Sequence, residues 1–205
     1  MPRPRIVIIG SGFAGFHAAQ RLRRVVRHRA EVVVVSSTNY FLYLPLLPQV
    51  AGGVLDPRRV AVSLTTTLPG VRLLPGEVYA VDLDRRRVKL TDLEDNPREL
   101  GYDRLVLSVG SVNKLLPIPG VTEHACGFRG LPEALYLRDH IIRQIELAAA
   151  ADDPRERVAR CTFVVVGAGY TGTELAAHGQ LLTRALTRLQ PQLRRLRPRW
   201  LLVDR

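Results

Sequence analysis

The sequence predicts an α/β fold in which parallel sheets are assembled from a strand–turn–helix–strand unit that occurs twice. Three observations carry this reading. Residues 6–9 (Ile-Val-Ile-Ile) and 163–166 (Phe-Val-Val-Val) are short, continuously apolar runs, as expected of strands covered on both faces. Each leads directly into a glycine turn of the same spacing: Gly10, Gly12, Gly15 and, 157 residues later, Gly167, Gly169, Gly172. Each turn opens a stretch of helical character that ends before another apolar run.

Taken in order, residues 5–9 read as the first strand, the helix after the turn reaches about His28, and residues 32–35 are the second strand. Residues 39–53, rich in aromatics, leucine and proline, read as irregular. Residues 71–74, 76–83 and 87–91 read as short strands of a small antiparallel β-meander, with a hairpin tip over 82–86. Residues 104–107 form another apolar strand, ending at Ser108-Val109-Gly110. A proline-bearing stretch, 116–120, suggests a connection between domains. Leu135, Ile141, Ile142 and Ile145 give residues 131–150 a helical period, and Asp152-Asp153-Pro154 ends that helix. The opening pattern then returns as a strand over 162–166, a glycine turn, a helix over 174–189 and a strand over 200–203. The expected division is 1–120 and 121–205. A doubly wound sheet needs more than two strands to bury its faces, so the second unit is expected to be truncated and the chain to be the N-terminal part of a longer protein.

The spacing of the glycines carries chemistry. In a G-x-G-x-x-G turn the first glycine makes the bend, the second lets the backbone approach a pyrophosphate, and the third lets the helix pack on the strand. The helix start adds unpaired N–H groups and a partial positive charge. Gly10, Gly12 and Gly15, with Phe13 and Ala14 between them, fill these places in the first copy; Gly167, Gly169 and Gly172, with Tyr170 and Thr171, fill them in the second. One such turn could be purely structural, but two, each after an apolar strand and before a helix, point to two Rossmann-like dinucleotide units. Such a site usually closes its second strand with an acid that binds the ribose hydroxyls. Asp204 stands there in the second copy and, by charge repulsion, favours NAD(H) over a 2′-phosphorylated nucleotide; an exposed strand-end acid is the alternative reading. The first copy ends with Ser36, which is neutral and shorter and can still hydrogen-bond a ribose.

Composition narrows the classes. At 46% hydrophobic residues, low-complexity disorder is excluded. The net charge of +11 rests on arginine, since only Lys89 and Lys114 are lysines, and much of it lies in residues 21–29 and 184–199. These clusters read either as solvated faces or as a contribution to binding an anionic membrane surface. No nucleic-acid module accompanies them, so nucleic acid is not expected as a partner. Cys126 and Cys161 form no metal or redox spacing, and no metal site is expected. Cys161 reads as a core residue, and Cys126 lies in a loop-like stretch. No run reaches the apolar length of a membrane helix, and Gly10, Gly12 and Gly15 interrupt the one stretch that imitates a signal peptide, so a cytoplasmic location is expected.

These residues resemble the flavin-dependent pyridine-nucleotide oxidoreductases with two dinucleotide domains, and within them the type II NADH dehydrogenase (NADH:quinone oxidoreductase) branch. Residues 6–15 resemble its FAD-binding opening, and 38–51 (Thr-Asn-Tyr-Phe-Leu-Tyr-Leu-Pro-Leu-Leu-Pro-Gln-Val-Ala) the segment after its second strand, the most branch-specific feature. Residues 102–111 resemble its second flavin segment, 137–141 and 146–148 the helix before its NAD site, and 163–176 its NAD-binding turn. The resemblance implies that FAD lies on the first domain, with Gly12 to Gly15 at the pyrophosphate and Ser36 at the ribose. Pro45 and Leu46 would lie near the isoalloxazine, Val78 would offer backbone to the adenine, and Gly110 would line the flavin cleft. NAD(H) is implied on the second domain, with Glu174 near the nicotinamide in positioning or proton handling; a helix-start acid favoured by the dipole is the alternative. The implied reaction passes hydride from NADH to flavin and on to a quinone or another small electron acceptor. A peripheral place at the cytoplasmic face of the membrane and a homodimer are left open. Ser36 in place of an acid and Ser108-Val109 in place of Ala-Thr depart from the family pattern. The lack of a redox cysteine pair argues against disulfide reductases. Other readings are a ferredoxin-reductase-like or sulfide:quinone-type flavoenzyme, or a dinucleotide-binding or redox-sensing module without turnover.

Overall fold

The structure, a computed structural model, describes residues 3–112 and 118–204. Its elements are, in order, β1 (Arg5–Ile9), α1 (Phe13–Val26), β2 (Glu31–Ser36), β3 (Tyr40–Leu42), α2 (Leu47–Ala51), β4 (Ala61–Ser63), α3 (Leu64–Thr67), β5 (Arg72–Asp82) and β6 (Arg87–Asp92). There follow β7 (Pro97–Gly101), β8 (Arg104–Leu107), α4 (Val121–His124), α5 (Leu131–Ala150), α6 (Pro154–Arg160), β9 (Thr162–Val166), α7 (Tyr170–Leu189) and β10 (Arg199–Val203). They form two compact units, Met1–Tyr43 with Ala61–Val112, and Leu44–Val60 with Asn113–Arg205. Residues 44–60 thus group with the second unit, although their sequence position places them within the expected first domain. Most of the connection expected over 116–120 begins at Ile118 here; Leu116 and Pro117 lie outside the described residues.

The first unit is one six-stranded sheet in the order β7-β6-β5-β2-β1-β8. β8, β1, β2 and the start of β5 run parallel, in the register Ile9↔Val35 and Ser36↔Pro75. The parallel strands are apolar on both faces because both are covered. Ile8, Val32 and Val34 pack with Phe16, Ala19 and Phe41, while Val7, Ile9, Val33 and Val35 pack with Val88 and Leu90. The meander is continuous with this sheet. The two runs read separately as 71–74 and 76–83 are one eleven-residue strand, β5, that leaves β2 after Pro75 and pairs antiparallel with β6 from Gly76 to Asp82. Beyond residue 75, the edge of β5 that faced β2 has no ladder partner among the described residues.

The starts of β1, β2 and β5 are tied together by Glu31. Its carboxylate accepts from Arg5 Nε at 2.6 Å and from Arg72 Nη1 at 3.2 Å. The hydrogen bond from Arg5 is the main cause holding Glu31 below its ordinary value of 4.5, with that from Arg72 adding to it against partial desolvation.

In the second unit α2 packs on α5 and α7, and α7 packs on the parallel pair β9–β10. Gly52, which follows α2, permits the approach to α7, since a Cβ there would lie 2.6 Å from His178 Cβ. Trp200 lies over α7 at Gly179, stacks on Phe163 with ring centroids 4.7 Å apart, and donates from Nε1 to Thr183 Oγ1 at 3.2 Å. The buried Thr183 hydroxyl in turn donates to the Gly179 carbonyl at 2.8 Å. The apolar run of β9 suggested cover on both faces. Among the described residues only one face is covered: Val164 and Val166 are 59% and 60% exposed. α6, unread in the sequence, is started by the Asp153 carboxylate, which accepts from Arg155 N–H at 2.8 Å.

Two outcomes follow from this packing. Gly179→Ala drives a methyl into the Trp200 ring and should cost about 1–3 kcal/mol. Trp200 is the only tryptophan, so a lower melting temperature with red-shifted emission is expected; unchanged emission would contradict the contact. Glu31→Gln tests the clamp. A carboxyl whose pKa is lowered on folding stabilises above its unfolded value and loses that stabilisation as pH falls below it. The substitution should therefore cost about 1 kcal/mol at neutral pH, and the difference in urea midpoint between the two proteins should vanish as Glu31 becomes protonated below its ordinary range.

Candidate functional site

The two glycine turns are the same structure built twice. Gly10 and Gly167 have φ of 94° and 101°, a left-handed conformation that side-chain-bearing residues rarely adopt. Their N–H groups donate to Val35 and Val203 carbonyls, both at 2.8 Å, which locks each turn onto the neighbouring strand. Gly12 and Gly169 are the N-caps of α1 and α7, extended at φ −67° and −68°, and accept from Phe16 and Thr173 N–H at 2.8 and 2.9 Å.

The glycines differ in what they leave room for. A Cβ on Gly15 or Gly172 would overlap the carbonyl oxygen of Gly10 or Gly167, so these two permit helix–strand packing. A Cβ on Gly12 or Gly169 would meet nothing within 4 Å. The space above each second glycine is open, and the N–H groups of the first helical turn have no partner within the helix. Open space beside helix-start N–H groups is what an anion at a helix N-terminus requires. No acid lies in the first turn of either helix.

The strand ends beside the two turns are chemically different. In register, Ser36 follows Val35 and Asp204 follows Val203. Asp204 Oδ2 accepts from Ala168 N–H of the second turn at 3.1 Å. Ser36 Oγ is 2.7 Å from Ser11 Oγ of the first turn and accepts from Thr38 N–H at 3.3 Å. A cleft of about 240 Å³ opens beside Ser36, lined by Thr38, Asn39 and Thr65 and floored by Val34 and Leu73. Val78 is half-buried in the part of β5 that pairs with β6, and the β5–β6 register shifts between Val78 and Ala80, a bulge that re-aims backbone groups there. A larger shallow hollow, about 490 Å³, lies among Arg24, Arg27, His28 and Arg29 just past the far end of α1.

The structure thus brings Gly10, Gly12, Phe13, Ala14, Gly15 and Ser36 to one place, and Gly167, Gly169, Tyr170, Thr171, Gly172 and Asp204 to another. Phe13 is held edge-on by Phe41, with centroids 5.0 Å apart, while Tyr170 is 92% exposed. Gly110 has φ 71° and open space around it. Pro45 is exposed and Leu46 half-buried in the 3-10 turn Leu44–Leu46 of the second unit. Glu174 lies exposed in α7, just past its first turn. One supporting residue, Ser11, was not singled out by the sequence, and Ser108 was noted there only as a departure from the family pattern. Ser108 donates to the Ile9 carbonyl at 2.6 Å and so ties β8 to the first turn. Ser11, 6% exposed, holds Ser36; its signal was the hydroxyl at the first x of the turn. Cys161 is buried as expected. At the exposed Cys126, desolvation first, and then the Glu133 carboxylate, push the thiol up, away from thiolate reactivity. No group of three metal-binding side chains occurs among the described residues, nor is any helix there long and apolar enough to cross a membrane.

Comparison with known proteins agrees with this geometry. The sequence profile of the pyridine nucleotide-disulphide oxidoreductase family matches residues 4–196. The chain is 37% identical over 199 residues to a type II NADH:quinone oxidoreductase of Mycobacterium tuberculosis, covering 96% of this chain and 41% of that protein. It is 32% identical over 180 residues to a demethylphylloquinone reductase of Synechocystis, covering 85% and 42%. The structure of NDH2 from Plasmodium falciparum in complex with NADH superposes with a TM-score of 0.85 at 25% identity, covering 92% of this chain and 39% of that one. The chain spans about two fifths of the length of these relatives.

The contrast between second and third glycines makes a direct test. Gly12→Ala should leave the folding free energy within about 1 kcal/mol of the parent, the ordinary range for Gly→Ala, while removing nucleotide binding at the first turn. Gly15→Ala should lose several times more stability, because its methyl has nowhere to go. Thermal melts and calorimetric titration with ADP check both. Equal melting temperatures would show that the close approach at Gly15 does not exist.

Proposed function

The chain belongs to the pyridine nucleotide-disulphide oxidoreductase family, and we propose that it carries the FAD-binding opening and the NADH-binding turn of an NADH:quinone oxidoreductase. The observation that carries this reading is the duplicated turn, with open space above Gly12 and again above Gly169. Two equivalent cradles in one chain suit two dinucleotides, and the similarity to quinone-reducing relatives supports a quinone as acceptor.

In this reading Gly12, with the α1 N–H groups, holds the FAD pyrophosphate, and the unpaired edge of β5 at Val78 offers backbone groups to the adenine. Gly110 serves the flavin end. Gly169 and α7 hold the NADH pyrophosphate. Asp204, fixed by Ala168 N–H, accepts from the ribose hydroxyls and repels a 2′-phosphate. Glu174 stands at the nicotinamide end, where its carboxylate orients the carboxamide or handles a proton. A bound flavin would supply two-electron chemistry between NADH and the quinone; the protein's part is alignment and electrostatics. Binding to the membrane surface is peripheral, aided by the arginines at the end of α1, of which Arg24, Arg27 and Arg29 are exposed.

The test is cofactor choice. NADH should bind at least about tenfold tighter than NADPH, a difference of ~1.4 kcal/mol. Asp204→Asn should narrow that gap, and Gly169→Val should abolish binding of both. Trp200, in the same unit, reports binding through its fluorescence. Tighter binding of NADPH to the unmodified protein would sink the assignment of Asp204. Retention of FAD by Gly12→Val would sink that of the first turn.

A further inference from the structure

The second residues of the two turns are Ser11 and Ala168, and the strand ends beside them are Ser36 and Asp204. In the second unit the turn's backbone N–H meets a carboxylate; in the first, two hydroxyl oxygens lie 2.7 Å apart. Resting on the reading that the first turn takes an adenine dinucleotide, we infer that Ser11 and Ser36 together read its ribose, and that this pair accepts a 2′-phosphorylated ribose as readily as a free diol.

The chemistry follows from what each group can donate. A carboxylate is acceptor-only and charged, so it binds the two ribose hydroxyls and repels a phosphate. A hydroxyl carries one donor and two acceptor lone pairs. The Ser11–Ser36 bond uses one donor and one acceptor, and Thr38 N–H takes another acceptor on Ser36. One hydroxyl hydrogen stays available between the two, with acceptor capacity beside it. Turned one way, the pair accepts from a ribose O2′–H; turned the other, it donates to a phosphate oxygen. Neither serine oxygen can drift, because Ser11 is buried in the turn and Ser36 ends a strand paired on both sides, to Ile9's strand through Val35 and to Pro75 directly. Among the described residues the cleft next to Ser36 is lined by hydroxyl, amide and apolar groups without an acid or a base, so none of that lining opposes the extra charge. Ser11 is then a positioning residue. It acts through Ser36, and it belongs to the same turn that holds the pyrophosphate, so phosphate and ribose contacts are set by one rigid loop.

The experiment uses the flavin-free chain carrying Gly169→Val, which closes the second cradle so that titration reports the first. ADP-ribose and its 2′-phosphate are expected to bind within about threefold of each other, and Ser36→Asp should open a preference of about tenfold or more for the unphosphorylated form. Ser11→Ala should weaken ADP but leave 2′-deoxy-ADP unchanged, and should have no further effect once Ser36 is alanine, as coupled residues do. A parent that already rejects the 2′-phosphate tenfold overturns the inference. So does a Ser11→Ala effect equal for ADP and 2′-deoxy-ADP, since a merely structural role would move both. If ADP binding to the Gly169→Val chain is absent, or survives Gly12→Val, it is the placement of the dinucleotide at the first turn that fails.

Discussion

The α-carbon of Gly15 lies against the carbonyl oxygen of Gly10 too closely for a Cβ, and Gly172 stands to Gly167 in the same way. This approach sets where each helix begins. With the helix start pressed onto the strand end, the first glycine must turn left-handed, its N–H must reach the next strand, and the second glycine is left facing open space. A side chain at the third position would push the helix outward and open the bond from the turn to Val35 or Val203. The open space above the second glycine is therefore a by-product of packing. An anion held there needs no charged side chain, only backbone N–H groups held where no other part of the chain can reach them.

Having made the same cradle twice, the chain finishes the two copies differently. Ala168 has no polar side chain, so the second turn reaches the strand end through its backbone and finds a carboxylate. Ser11 offers a hydroxyl, so the first turn reaches a serine that could not otherwise span the gap a longer acid would. The charge of the strand end and the polarity of the turn's second residue vary together, because the two groups touch. Ser108 fits the same logic. Its hydroxyl donates to the Ile9 carbonyl where β8 meets the turn, beside the Ser108 backbone N–H, which donates to the same oxygen at 2.9 Å.

The two sheets also show how an identical apolar pattern can have different surroundings. Residues 6–9 and 163–166 are equally apolar, yet the first run is sandwiched between α1 with its neighbours and the packed side of the meander, while the second is covered by Phe163–Trp200–α7 on one face. The packed side of the second sheet is correspondingly specific. Trp200 needs both a glycine beneath it and the Thr183 oxygen for its N–H, and α7 supplies them four residues apart on one face.

What the sequence determined by itself was local. Strands 5–9, 104–107 and 162–166 and the helix 131–150 were legible to the residue, because apolar period and turn chemistry act within a few residues. So were the two turns, since glycine spacing is set by backbone sterics. What only the tertiary structure decided depended on partners distant in sequence. Pro75 looks like the end of a strand, and β5 runs through it because β2 lies on one side before it and β6 on the other after it. β7 is polar, and it is a strand because β6 holds it. Asp153-Pro154 closes one helix by its sequence signal and, by the same cap, opens the next. Residues 44–60 look continuous with the first unit, and packing of α2 on α5 and α7 assigns them to the second. The partnership of Ser11 with Ser36, 25 residues apart, was invisible for the same reason. A hydroxyl has no preferred partner until two strands in register bring a second one within 2.7 Å.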